Sequence, residues 1–174
     1  MPVLLTNRQR RFPVDERRLA GLARACLVHL GLGAAALSVL LVNDPAMRAL
    51  NRRHRGIPRT TDVLSFPQHE GRPSDVRRAL ARPSEGGPAP ELGDVVISVE
   101  RARAQAARAG IAPEAELALL LVHGLLHLTG HDHELGAQAA ARMADAERDL
   151  LHRLGFKAAG LVAREAGAGT GDPA

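Results

Sequence analysis

An α+β fold, a mixed four-stranded sheet packed with about five helices around a zincin-like metal helix, follows from three observations on this 174-residue chain. Short β-branched runs alternate with helical periodicities along it. Four of its eight histidines crowd into one short segment. Its composition, 45% hydrophobic, 24% charged and only 2% aromatic, fits one compact domain with an aliphatic core.

The elements follow in order. Val3 to Thr6 is a short apolar run fit for a first strand. Asp15 to Leu30 repeats Leu19, Leu22, Ala23, Cys26 and Leu30 on one helical face before Gly31 and Gly33 end it. Ala36 to Val42, ALSVLLV, predicts a buried strand, and Asp44-Pro45 supplies an N-cap and first residue for a helix carrying Met47 and Leu50. Two more strands are expected at Asp62 to Phe66 and Leu92 to Ser98. The Pro/Gly-rich segment between them, Pro67 to Glu91, is expected to be a mobile surface excursion with at most a short helix near Ser74 to Ala81. Glu100 to Ala109 is helical up to Gly110, Pro113 starts a helix that runs to about Thr129, and a last helix covers about Leu135 to Leu154. After Phe156 the large apolar residues thin out. Residues 1–157 are therefore expected to form the single domain and 158–174 a disordered tail.

No stretch reaches the roughly 18 uncharged apolar residues of a membrane span, and MPVLLTNRQRRF breaks into charge too early for a signal peptide, so a cytoplasmic protein without membrane contact is expected. Cys26, alone, excludes an internal disulfide and an all-cysteine metal site. Any metal must be held by His, Asp or Glu. Net charge is +4, yet residues 1–60 hold eleven Arg against Asp15, Glu16 and Asp44. That basic end suits a phosphate-backbone partner, although an Arg-rich, Lys-poor chain can also reflect base composition. Phe12, Phe66 and Phe156 all sit where core positions are expected, so no stacking platform for bases is visible. Recognition of a phosphate-backbone partner would then be mainly electrostatic.

The chemistry is carried by His123-GLL-His127-LTG-His131-Asp132-His133. Positions i and i+4 of a helix share a face about 6 Å apart along the axis, so His123 and His127 can reach one ion. Gly130 lets the chain turn back so that His133 supplies a third nitrogen. Three neutral imidazoles with an open fourth position are the arrangement of a catalytic Zn2+ site. His131 either touches the metal or faces solvent or substrate, and Asp132 suits an N-cap or an outer hydrogen-bond acceptor. The spacing HxxxHxxGxxH is that of metzincin peptidases, which place a general-base Glu directly after the first His; here that residue is Gly124. A metallopeptidase-like hydrolase would need Glu134 or Asp94 as a substitute base. A non-catalytic zinc module is the other alternative.

HGLLHLTGHDH closely resembles the HGxLHLxGYDH signature of the YbeY endoribonuclease family. LNRRHRGIPRTTDVLSFP (Leu50 to Pro67) is similar to the family's LNxxYRxxDxPTDVLSFP, LGDVVIS (Leu92 to Ser98) to its LGDIxIS strand, and MADAERDLLHRLGF (Met143 to Phe156) to its closing helix. The resemblance implies a single-strand-specific, metal-dependent endoribonuclease of 16S ribosomal RNA 3′-end maturation and ribosome quality control. It also implies partnership with single-stranded ribosomal RNA and with the small subunit or ribosome-associated proteins. It puts one Zn2+ on His123, His127 and His133 and a phosphate-holding arginine at Arg55, the four together forming the catalytic set. His54, Pro58 and His131 depart from the family's Tyr, Asp and Tyr; the first and last would add titratable groups near the cleft. Asp62, Ser65 and Asp94 lie in the matching strands and could line the site or make strand-end hydrogen bonds.

Overall fold

The computed structural model describes residues 3–81 and 87–168. Four strands, β1 (Val3–Asn7), β2 (Ala36–Val42), β3 (Val63–Pro67) and β4 (Glu91–Ser98), form one sheet in the order β1-β2-β4-β3. β1, β2 and β4 run parallel, whereas β3 pairs antiparallel with β4 and forms an edge, so the sheet is mixed as expected. Among the described residues seven α-helices accompany it, two more than the periodicity count: α1 (Glu16–His29), α2 (Asp44–Arg55), α3 (Pro73–Leu80), α4 (Val99–Ala109), α5 (Pro113–Leu128), α6 (Ala137–Arg153) and α7 (Leu161–Ala168). A 3-10 turn, His133–Leu135, links α5 to α6.

Strand alternation builds two unequal layers. Leu37, Val39, Leu41, Val95 and Ile97 face the main core with α1 and α5, whereas Val96 and Leu64 face a smaller cluster closed by Met47 of α2. Helix α5 is buried almost all round, from Glu116 to Leu126 without interruption. The α1 face is as expected, with Asp15 capping through its side chain to Arg18 N–H at 2.9 Å. The start of α2 lies one residue earlier than the sequence pattern indicates. Asn43 is the cap, accepting from Ala46 N–H, because the Asp44 carboxylate is drawn elsewhere: Ser98 Oγ and Thr60 Oγ1 donate to it at 2.6 and 3.2 Å, and Arg101 Nε at 3.1 Å.

Two expectations need correction. Part of the Pro67–Glu91 segment is anchored, since Val76 and Leu80, one helical turn apart on α3, are both buried in the main core. The expected disordered tail of 158–174 contains α7, and its remaining residues 169–174 lie outside the described ones. Leu161 and Val162 bury their side chains, and Arg164 forms a two-pronged ion pair with the fully buried Glu116 at 2.8 and 2.5 Å. The contact with Glu116 also raises the Arg164 pKa. Two apolar residues and one arginine suffice to dock a short helix when a buried carboxylate awaits it.

Arg164→Ala leaves Glu116 charged and unpaired in the core. A fully buried pair broken this way loses roughly 3–5 kcal/mol, and with Arg164 30% exposed the loss expected is about 2 kcal/mol. The urea midpoint should fall at nearly constant slope, whereas Arg148→Ala, in an ion pair exposed on both sides, should leave it unchanged.

Candidate metal centre

His123 and His127 come from adjacent turns of α5, and Gly130, at φ 92°, reverses the chain so that His133 returns to them. The ring centroids lie 4.7, 5.3 and 5.2 Å apart, and one nitrogen from each ring falls within 4.8 Å of the other two. His123 Nε2 and His127 Nε2 are 3.1 Å apart. All three expected ligands are thus brought together. His131 is not in this group; its Nδ1 contacts Thr129 Oγ1 at 3.2 Å and its ring lines the same cleft. Asp132 caps the 3-10 turn by accepting from Glu134 N–H, one of the two roles expected for it.

The donor set fits a cation. His123 Nδ1 donates to Glu147 Oε1 at 2.7 Å, a contact that fixes the tautomer and leaves Nε2 as a lone-pair donor. Burial first, then the neighbouring His123 and His133, push the His127 pKa down to about 4, so this ring is neutral at pH 7. Among the described residues, His133 Nδ1 is buried without a hydrogen-bond partner. Imidazole-only sites suit borderline metals such as zinc.

Glu147 is the functional residue that the sequence reading missed. It is fully buried on α6, and its second oxygen accepts from Val162 N–H at 2.9 Å. Its signal was a carboxylate on the apolar stripe of Met143, Leu150 and Leu151. A Cβ at Gly160 would collide with this carboxylate, so glycine is needed where the chain crosses it.

The cleft around the histidines holds about 860 Å3 and is walled by Thr61, Asp62 and the β3 residues Val63 to Ser65, by Arg55, by Gly71 and Arg72, and by Leu161 and Glu165 of α7. Arg55, exposed at the end of α2, therefore shares the cleft with the three histidines. Glu165 Oε2 lies 4.0 Å from His133 Nε2, a neighbour that no motif announced. Asp62 and Ser65 both line the cleft as well as making hydrogen bonds: Ser65 donates to Gly124 O at 2.9 Å, and Asp62 accepts from Val63 N–H and from Gln105. Asp94 lies on the strand face of Val96, away from α5, and does not line the cleft. His54 packs edge-on against Phe66 at 4.9 Å, outside the cleft lining.

Gly124 faces the sheet. A Cβ there would lie 2.8 Å from Val95 Cγ1 and 3.1 Å from Val63 Cγ2, so the position where a peptidase carries its base is closed to any side chain.

A mixed sheet beneath a helix that offers two imidazoles, with a third from the following turn, defines an α+β protein with a three-histidine cluster that could hold a metal ion. Residues 4–155 match the family described as Endoribonuclease YbeY. The chain is 40% identical over 152 residues to Endoribonuclease YbeY of Geobacter sulfurreducens, covering 87% of this chain and 94% of that one. It is 44% identical to that of Anaeromyxobacter sp. (strain Fw109-5), covering 96% and 78%. The solution structure of TM1509 from Thermotoga maritima shares the fold at a TM-score of 0.54 and 20% identity, over 98% of this chain and 97% of that one. The chain belongs to the YbeY endoribonuclease family.

Two outcomes test this geometry. Gly124→Ala gains about 1 kcal/mol of helix propensity, but the clash with Val95 and Val63 is worth roughly 1–3 kcal/mol, so a net loss of about 1 kcal/mol is expected in urea melts. In the metal-free chain the unfolded state takes a proton on His127 before the folded state does. Stability should therefore decline as pH falls from about 6.5 towards about 4, and His127→Gln should flatten that part of the Tm profile.

Proposed function

We propose that this chain is a metal-dependent endoribonuclease that cuts single-stranded RNA, with zinc as its ion and His123, His127, His133 and Arg55 as its catalytic set. Its substrate is small-subunit ribosomal RNA near its 3′ end, met in the cytoplasm on the small subunit or on ribosome-associated proteins. The observation that carries the reading is that one cleft holds three convergent imidazoles and the exposed Arg55. The relatives named above bear the same activity in their names.

A bound divalent cation supplies a Lewis acid for a phosphodiester oxygen. The chain supplies the rest. Glu147 holds His123 by its Nδ1–H, so that the ring keeps one orientation while substrate enters. The Arg55 guanidinium grips nonbridging phosphate oxygens in a fork and stabilises the charge gained in the transition state. The start of β3 forms one side of the cleft. Peptide hydrolysis is disfavoured, because Gly124 has no space for the base such chemistry uses.

His127→Ala should lose bound zinc and RNA cutting together. Arg55→Glu should keep zinc at one per chain and lower cutting by about 100-fold or more, the scale set by removal of one charge-stabilising donor. Zinc-loaded protein that cuts neither free single-stranded RNA nor small subunits with immature RNA ends would overturn the reading. Cutting that survives a single 2′-deoxy substitution at the scissile nucleotide identifies water, rather than the 2′-hydroxyl, as nucleophile.

A further inference from the structure

The reaction proposed above uses the three histidines and Arg55, and it leaves Glu165 without a role. Glu165 stands on α7 and lines the cleft together with Leu161, one helical turn before it. Its Oε2 lies 4.0 Å from His133 Nε2. Asp62, Glu70, Asp132 and Glu134 line the same cleft, but among the described residues Glu165 alone of these carboxylates comes within ion-pair distance of a ring nitrogen of the three histidines.

The backbone that carries Glu165 is fixed from two sides. Arg164 forks onto the buried Glu116 of α5, and Val162 N–H donates to Glu147, the same carboxylate that accepts from His123. The place of Glu165 beside the histidines is thus set by the contacts that dock α7. Its own side chain is free to move: it is 57% exposed and, among the described residues, no hydrogen bond holds its carboxylate.

Bond lengths decide whether such a group can reach an ion held by the histidines. Zinc binds an imidazole nitrogen at about 2.0–2.1 Å and a carboxylate oxygen at about 2.0–2.2 Å, so two such donors on one ion are at most about 4.3 Å apart and stand about 3.4 Å apart in a tetrahedron. The observed 4.0 Å leaves about 0.6 Å to close towards His133. More must be closed towards the two helix histidines, since the carboxylate is not in the group whose atoms all lie within 4.8 Å of one another. A rotamer change of an exposed glutamate moves its oxygens far enough for both. The driving force is electrostatic, because three neutral imidazoles leave both charges of a divalent ion uncompensated and Glu165 is the nearest unengaged anion.

We propose that Glu165 is a fourth, exchangeable ligand of the metal, supplied by α7 to the position that the three histidines leave open and displaced from it by a phosphate group. This rests on the metal-dependent RNA-cutting reading above. Glu165 is the ligand that leaves because the three rings are placed by α5 and the turn after it, whereas rotation of one exposed side chain is enough to free the ion.

The test uses the full chain as wild type, E165Q and E70Q, with Zn2+ for affinity and Co2+ for spectra. In competition with a chromophoric chelator, E165Q should weaken Zn2+ binding by about tenfold or more, given that even a carboxylate outside the coordination sphere is worth about 10- to 100-fold. E70Q removes the same charge from the cleft lining without the contact to His133, and it should bind Zn2+ as wild type does. The visible bands of bound Co2+ should change in E165Q, where water replaces the carboxylate. Inorganic phosphate should then perturb those bands at concentrations lower than in wild type by the factor lost in Zn2+ affinity, as linkage requires. The urea midpoint of E165Q should match wild type, because Arg164 and Val162 still dock α7. Equal Zn2+ affinity in wild type and E165Q would overturn the assignment, as would an equal loss in E70Q, which would trace the effect to net charge. Weaker Zn2+ binding with unchanged Co2+ bands would overturn it too, because Glu165 would then act from outside the coordination sphere. A wild-type chain that binds neither ion would overturn the metal-dependent reading and the fourth ligand with it.

Discussion

The burial of α5 is the constraint on which the rest of the structure depends. Its apolar residues pack on every side, and along one stripe it carries Glu116, His123 and His127, spaced by seven and four residues and so aligned on one face. An ionised or hydrogen-bonding group in such surroundings loses its hydration and must find a partner within the protein. Arg164 answers Glu116 and Glu147 answers His123. Both partners come from the last quarter of the described chain. α6 and α7 therefore do more than complete the core, because they are what allows a helix this apolar to hold polar groups at all. The Val162 N–H on the second oxygen of Glu147 ties the two helices to the same task.

A second consequence of that burial is the closeness of α5 to the sheet. Gly124 lets β3 and β4 approach the helix backbone, with Val95 and Val63 occupying the space a side chain would take. Ser65 can then donate to the Gly124 carbonyl, an additional bond from the edge strand to the metal helix. The same approach draws β3 beside the histidines, so the cleft gains a wall and loses the position from which a helical carboxylate could act. Reaction class is set here by packing as much as by the list of ligands. What remains in the cleft is a cluster of three imidazoles that could hold a metal ion, with the Arg55 side chain in the same lining.

The strands and the longer helices were legible because each carries its period openly: alternating Leu and Val in β2, and three- and four-residue spacing in α1. The three histidines were legible because helical spacing and a glycine turn suffice to make them converge. Three things were not. The α2 cap shifted from Asp44 to Asn43 because the competing partners of Asp44, Ser98 and Arg101, lie more than fifty residues away. Helix α7 has only Leu161 and Val162 as an apolar face, and its docking depends on a carboxylate whose burial is a tertiary fact. Glu147 looked like one charge among several in ADAERD, and only its fully buried place opposite His123 distinguishes it. In each case the deciding interaction is nonlocal.

Charge shows the same limit more sharply. Residues 1–60 hold eleven arginines, and the sequence alone points to that end of the chain as the one that meets RNA. In the folded protein only Arg55 of those eleven lines the cleft of the histidines. The other arginine of that cleft, Arg72, comes from the segment before β4, a region that carries no excess of basic residues to match the first sixty. A phosphate strand responds to the field at the surface it meets, and that field is assembled by the fold from distant segments rather than inherited from the net charge of any one of them. The packing of Gly71, Arg72 and Pro73 against Gly130 is thus an electrostatic feature as well as a steric one, since it sets Arg72 of a Pro/Gly-rich excursion in the cleft of the histidines.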